Sequence, residues 1–288
     1  MSDGFLDCVI TSPPYWQLRD YGVVGQWGLE GSVDDYLGRL WGMMDLLWDK
    51  LKEGGSVWIN LGDTYNGNKV GNTSNKGYKD GEVVMGVNKV IQRFPEKSLL
   101  LIPHRFAIGC IDRGWILRND IVWAKRNGMP ESVLDRFSKK HEYMFFMVKT
   151  AKYYFDLDSV KDRTLTFDLN ERDRDLGKMN KVGGRSRMGG LKKNDYLLKN
   201  PGDVSDFWDI PTRGNSLEHY ASYSDGLIRK PILAGCPEGG LVYDPFMGTG
   251  STAEVAIRSG RNWVGSEISL EYCRIAGERL DKFKNRLF

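Results

Sequence analysis

The apolar positions of this chain change period repeatedly, and those changes mark its elements. Phe5 to Thr11 is a short, mostly apolar run that stops at Pro13-Pro14, the pattern of a buried parallel strand. From Val33 to Leu51 the apolar residues Tyr36, Leu37, Leu40, Met43, Met44, Leu47 and Leu51 fall at helical spacing, and Gly54-Gly55 reads as a stop. Ser56 to Leu61 then predicts a strand, Ser98 to Arg113 a helix, and Ile116 to Ala124 and Glu142 to Val148 two more strands. Between them, Asn66 to Gly86 is rich in Gly, Asn and Lys and predicts a mobile surface loop. The rhythm breaks after Phe155 and returns near Phe207-Trp208-Asp209-Ile210. A helix from Asp225 to Ala234, a strand from Leu241 to Tyr243, a helix from Thr252 to Ser259, a strand from Trp263 to Glu267 and a last helix complete the pattern. Such alternation predicts an α/β fold with a doubly wound, Rossmann-like sheet, built from two sequence blocks with an insert between them.

Bulk properties narrow the class only a little. A chain of 288 residues accommodates one large α/β domain with a smaller module. The net charge of +3 does not imply a nucleic-acid partner unless the charge is concentrated somewhere. Cys8, Cys110, Cys236 and Cys273 are scattered without a Cys-x-x-Cys pair and only three histidines accompany them, so neither a disulfide framework nor a metal site is expected. No run approaches membrane-spanning length and the start lacks a signal-peptide pattern, so a cytoplasmic protein with no membrane partner is expected.

Chemistry enters with the segment Asp244-Pro245-Phe246-Met247-Gly248-Thr249-Gly250-Ser251-Thr252. A strand runs into a turn whose glycines let a ligand approach the backbone, and the turn runs into a helix. About twenty residues on, Glu267 stands where a carboxylate can accept from both hydroxyls of a ribose. The turn lacks Gly-Lys-Ser/Thr and is shorter than a dinucleotide fingerprint, which suits a phosphate-free nucleoside cofactor such as S-adenosyl-L-methionine. A second signal is Thr11-Ser12-Pro13-Pro14-Tyr15-Trp16. Two prolines stiffen this turn and remove amide donors, leaving carbonyl acceptors; Ser12 adds a hydroxyl, and Tyr15 and Trp16 add flat faces. Those groups can hold the protons of an amine while a base stacks on the ring.

Together, Ser-Pro-Pro-Tyr and Asp-Pro-Phe-x-Gly-x-Gly resemble the S-adenosylmethionine-dependent DNA amino-methyltransferases that modify cytosine N4 or adenine N6. The catalytic turn precedes the cofactor turn, an order similar to the β group of that family, a circular permutation of the sheet. The likeness also takes in Gly54 to Asp63, Trp123-Ala124-Lys125, Met129-Pro130-Glu131, His141-Glu142 and His219-Tyr220-Ala221, with Ser224 where relatives usually carry proline. It implies Ser12, Pro13, Pro14 and Tyr15 as catalytic residues. It implies a cofactor site of Asp244, Pro245, Phe246, Gly248, Thr249, Gly250, Ser251, Thr252 and Glu267, with His219 and Ala221. The target base would be flipped onto Tyr15, and the methyl would pass directly from sulfur to nitrogen. Serine in the first position of the turn is commoner among cytosine-N4 enzymes, which favours cytosine over adenine. Relatives usually carry a further strand before the catalytic one, ending in an acidic residue near the adenine of the cofactor; its counterpart is missing before Phe5, so a truncated start or a differently built adenine pocket is expected.

Between the two blocks, Glu171 to Lys199 concentrates Arg172, Arg174, Lys178, Lys181, Arg185, Arg187, Lys192, Lys193 and Lys199. Charge alone would fit a solvated loop, but the position matches where the resembled enzymes carry a target-recognition region. The expected organisation is therefore residues 1–155 as the catalytic part, 156–217 as target recognition and 218–288 as the cofactor part. Arg185, Arg187, Lys192 and Lys193 are the expected contacts to double-stranded DNA. The resemblance also implies restriction-modification and a prokaryotic or viral origin, and leaves a homodimer and a cognate restriction endonuclease open. Other classes fit less well. A carbon-5 cytosine enzyme needs a cysteine nucleophile, usually after proline, and none of the four cysteines follows one. Glutamine methyltransferases of release factors place their Asn-Pro-Pro-Tyr turn after the cofactor turn. A non-catalytic DNA-binding protein that keeps the fold and an RNA-directed enzyme remain as alternatives.

Overall fold

The computed structural model describes residues 4–67, 76–79, 82–85, 91, 93–125, 127–128, 131–161, 204–211 and 224–284. The chain divides into two compact units, one made of 1–155 and 206–288, the other of 156–205.

In the larger unit, strands β1 (Leu6–Thr11) and β2 (Leu51–Leu61) are joined by helix α1 (Val33–Lys50). A hairpin of β3 (Lys76–Lys79) and β4 (Glu82–Met85) follows, then helix α2 (Ile102–Asp112), β5 (Ile116–Ala124), β6 (His141–Val148) and β7 (Phe207–Asp209). Helix α3 (Asp225–Gly235), β8 (Leu241–Asp244), α4 (Ser251–Arg258), β9 (Asn262–Gly265) and α5 (Leu270–Lys284) complete it. Seven strands form one sheet in the order β7-β5-β6-β2-β1-β8-β9. β1, β2, β8 and β9 pair in parallel, β5 and β7 run the same way, and only β6 is antiparallel to its neighbours.

Alternation along the strands assigns each face. Leu6, Val9, Val57, Ile59, Phe145 and Met147 meet the apolar stripe of α1 and the buried residues of α2 in one core. On the other face, Ser56 and Trp58 lie against α3, where Ser56 Oγ donates to the Gly235 carbonyl at 2.9 Å and Trp58 stacks on Phe146. Helix α1 begins where expected because Ser32 caps it, its hydroxyl accepting from Asp35 N at 3.0 Å with Asp34 and Asp35 in the first turn.

The structure departs from the sequence expectations at particular places. Gly54-Gly55 does not follow a helix stop: α1 passes directly into β2 at Leu51, and the glycines lie inside that strand. Helix α2 starts at Ile102 rather than Ser98, with Pro103 in its first turn and the Asp63 carboxylate accepting from Ile102 N at 3.1 Å. The segment read as a mobile surface loop contains the antiparallel pair Lys76–Lys79 and Glu82–Met85. β9 ends at Gly265, so Glu267 lies two residues beyond it.

In the smaller unit, Asp158–Val160 forms a short 3-10 turn, with Ser159 N donating to Asp156 Oδ1 at 3.1 Å. The expected DNA contacts Arg185, Arg187, Lys192 and Lys193 lie outside the described residues.

Candidate active site

Strands β1 and β8 are adjacent and parallel, so the turns that follow them leave the sheet at the same edge. The Ser12–Tyr15 turn follows β1 and the Gly248 turn follows β8, which brings the two motifs together from opposite ends of the polypeptide. A buried junction fastens them. Thr11 Oγ1 donates to Asp244 Oδ1 at 2.5 Å, Phe246 N donates to the same oxygen at 3.0 Å, and Thr252 Oγ1 donates to Oδ2 at 2.6 Å. Asp244 is 4% exposed and burial pushes its carboxyl up to about 6 in spite of those three donors. Asp244 and Thr252 were expected at the cofactor; their side chains are turned into the protein, where they shape the turn.

The turn itself suits a nucleoside cofactor. Gly248 has φ +53°, and a Cβ built on it would meet nothing within 4 Å, so its backbone borders open space. Its amide donates to Glu267 Oε2 at 2.9 Å, while Ser269 N donates to Oε1 at 2.8 Å. Two amides thus hold the carboxylate beside the turn, and each oxygen keeps a lone pair for a further donor such as a hydroxyl. Pro245 and Phe246 are half-buried in the same turn. Arg279 Nη1 donates to Ser251 Oγ at 2.6 Å and to Thr249 Oγ1 at 3.4 Å, pinning both hydroxyls. His219 and Ala221 lie outside the described residues.

At the turn after β1, Ser12 and Pro14 are half-buried and Pro13 is buried; Tyr36 Oη donates to the Pro14 carbonyl at 2.8 Å. Tyr15 is held by a network that sequence reasoning did not assign. Its hydroxyl lies 2.7 Å from Glu142 Oε2 and 3.1 Å from Asn60 Oδ1, and the Asn60 amide is oriented by donating to the Tyr143 carbonyl at 3.0 Å. Lys125 pairs with the other oxygen of Glu142 and lies 4.3 Å over the Trp123 ring. Gly62 makes room for this arrangement: a Cβ there would meet Tyr15 Cε2 at 2.6 Å and Glu142 Oε1 at 3.4 Å. Lys139 reaches inward to the Asp63 carbonyl, and burial lowers its ammonium while raising the Asp63 carboxyl. Trp16, considered as a second stacking surface, is 4% exposed and donates its indole N–H to the Glu30 carbonyl at 3.1 Å, so it belongs to the core.

The segment from Gln17 to Glu30 links the two turns. Gly28 (φ +95°) crosses so near the catalytic turn that a Cβ would meet the Tyr15 carbonyl at 2.9 Å. Trp27 packs edge-on against Phe246 at 5.1 Å, and Tyr21 against Tyr272 of α5 at 6.3 Å. Among the described residues no group of His, Cys, Asp or Glu could hold a metal ion, and no helix is long and apolar enough to cross a membrane.

Comparison with known proteins agrees with this geometry. The family described as DNA methylase (N6_N4_Mtase) matches residues 6–278. The type II methyltransferase M.Cfr9I of Citrobacter freundii is 35% identical over 286 residues, covering 97% of this chain and 83% of the relative. M.SmaI of Serratia marcescens is 35% identical over 278 residues, covering 95% and 84%. Among solved structures, the PvuII DNA methyltransferase (cytosine-N4-specific) aligns with TM-score 0.61 at 17% identity, over 99% of this chain and 86% of that one. A putative DNA modification methylase of Thermus thermophilus, complexed with S-adenosyl-L-methionine, aligns with TM-score 0.57 at 20% identity, over 98% and 88%. This chain belongs to the N6/N4 DNA methylase family, the S-adenosyl-L-methionine-dependent amino-methyltransferases of DNA.

Proposed function

We propose that the protein methylates the exocyclic N4 amine of cytosine within a specific sequence of double-stranded DNA, after that base has been turned out of the helix. One observation carries the reading: the proline turn and the glycine turn share one edge of the sheet, locked together through Thr11 and Asp244. S-adenosyl-L-methionine, when bound, supplies a methyl group on a positively charged sulfur. Gly248, Thr249 and Gly250 would present backbone to it, Glu267 would accept from its ribose, and Pro245 and Phe246 would border it, with His219 and Ala221 by family resemblance. Asp244, Ser251 and Thr252 keep the turn in shape. On the other side, Ser12 Oγ and the Pro13 carbonyl accept the protons of the amine and direct its lone pair, with Pro14 stiffening the turn. Tyr15 gives the base a face to stack on, and Glu142 and Asn60 hold that ring in place. No covalent enzyme intermediate is needed.

Serine at position 12 favours cytosine, as does the cytosine-N4 specificity in the name of the PvuII structure. The test is to digest DNA incubated with protein and cofactor and to weigh its nucleosides. N4-methylcytosine is expected. N6-methyladenine alone would move the assignment to adenine, and unmodified DNA would remove it.

Target recognition we assign to the region from about 156 to 217, through Arg185, Arg187, Lys192 and Lys193. Replacing all four with alanine is expected to weaken duplex binding and to reduce the magnitude of the slope of log K against log salt by roughly 3.6, as loss of about four phosphate contacts requires. Cofactor affinity, measured by calorimetry, stays unchanged. An unaltered salt slope would show that these cations do not touch the phosphates.

A further inference from the structure

The loop from Glu131 to Lys140 joins β5 to β6 at the edge that carries Tyr15, and it offers two large apolar side chains to water: Leu134 is 104% exposed and Phe137 95%. The loop is well anchored. The Arg136 guanidinium lies 4.0 Å over the Tyr65 ring and donates to Glu131 Oε2 at 2.7 Å and to the Phe137 carbonyl at 3.1 Å. Lys97 pairs with Asp135 at 2.7 Å, Lys139 runs inward to the Asp63 carbonyl, and Lys140 Nζ donates to the Gly128 carbonyl at 2.7 Å. Lys125 N donates to the Lys140 carbonyl at 2.8 Å, closing the base of the loop, and the Lys125 side chain pairs with Glu142 beside Tyr15. Anchors therefore fix the backbone around Leu134 and Phe137 while both side chains stay uncovered. Burying a Leu or Phe ordinarily stabilises a fold. A pinned loop that forgoes both contributions has its apolar groups set for a surface outside the chain.

The place of the loop says which surface. Its root is the network that holds the base-stacking tyrosine, so the partner it meets is the one that delivers a base there. A base leaving its stack opens an apolar slot in the duplex, and apolar side chains are the groups that fill such slots. We propose that Phe137, supported by Leu134 of the same loop, enters the duplex at the step vacated by the target base and stabilises the flipped state. This rests on the DNA-methylating reading above and adds to it the residue that takes the place of the base.

The experiment compares wild type with Phe137→Ala and Leu134→Ala on two duplexes containing the sequence that the wild type methylates. In one the target base is normally paired; in the other it lies opposite an abasic site, where no base pair has to be broken. Phe137→Ala is expected to lower kcat/KM about tenfold on the paired duplex and no more than about twofold on the abasic one, with Leu134→Ala in the same direction but smaller. Because both side chains project into solvent, thermal stability and cofactor affinity stay at wild-type values. Equal losses on the two duplexes, or no loss on either, would overturn the assignment. A wild type that methylates no duplex sequence, so that no such substrate can be made, would instead overturn the functional reading on which it stands.

Discussion

Replacing Tyr15 with alanine is expected to lower methyl transfer about 100-fold or more while leaving cofactor affinity within about twofold of wild type. Two contributions add. Stacking of a base on an aromatic face is worth roughly 1–3 kcal/mol, which is lost outright. A base without that face also samples positions from which the amine no longer points at the methyl group, and about 1 Å of displacement can cost a further factor near 100. The Glu142 contact separates stacking from aim. Tyr15→Phe keeps the face but cannot donate to Glu142 or Asn60. It should fall to an intermediate rate, mainly through kcat, and Glu142→Ala should fall to a similar level. The double variant should lose less than the two single losses combined, because the Tyr15–Glu142 bond is already absent in each single variant. Gly62→Ala attacks the same ring from the side, since its Cβ would fall 2.6 Å from Tyr15 Cε2, and it should resemble Tyr15→Ala more than Tyr15→Phe. Single-turnover rates with labelled cofactor, alongside calorimetric titration, provide the measurement. Full activity in Tyr15→Ala would exclude the ring as the stacking surface.

The parts of this site that were legible in the sequence are the ones with local signals. Strand β5 appears at the expected bounds because its apolar residues lie between Gly114, which turns the chain out of α2, and the charged Lys125. Tyr15 and Gly248 were readable because proline and glycine restrict or free the backbone wherever they stand. The links among these motifs had no local signature. Tyr15 meets Glu142 across 127 positions and Thr11 meets Asp244 across 233, so neither pair shares a period or a turn. Asp244 shows the difficulty plainly: an acid at the end of a strand beside a glycine turn reads as a ligand contact, and only burial reveals it as a fastener. At Glu267 only the strand bound differs: the strand ends at Gly265, and the carboxylate two residues beyond it accepts from the Gly248 amide. In the loop from 66 to 86 the hairpin had no signal of its own, because its strands of four residues each are too short to establish an alternating pattern.

Asp244 carries the second large expected effect, on folding rather than on chemistry. Asp244→Ala leaves the Thr11 and Thr252 hydroxyls and the Phe246 amide without their acceptor in a buried place. At about 1–3 kcal/mol for each stranded group, partly offset by relieving a buried charge, the net loss should be about 3–5 kcal/mol, or a fall of roughly 10 °C in Tm. Cofactor affinity should fall as well, because the same three bonds set the course of the Gly248 turn. Asp244→Asn keeps the shape and an acceptor, and its comparison with wild type isolates the charge. The carboxyl is raised from its ordinary 3.8 to about 6, so folding favours its protonated form. That stabilisation is complete below 3.8 and disappears as pH rises through about 6. Lowering the pH from about 7.5 to about 5 should therefore shift the stability difference in favour of wild type by on the order of 1 kcal/mol, read from denaturant midpoints of the two proteins. A difference that stays flat over that range, or moves toward the asparagine variant, would mean that the bonds from Thr11, Thr252 and Phe246 offset or outweigh burial, and that the acid fastens the two turns in its charged form.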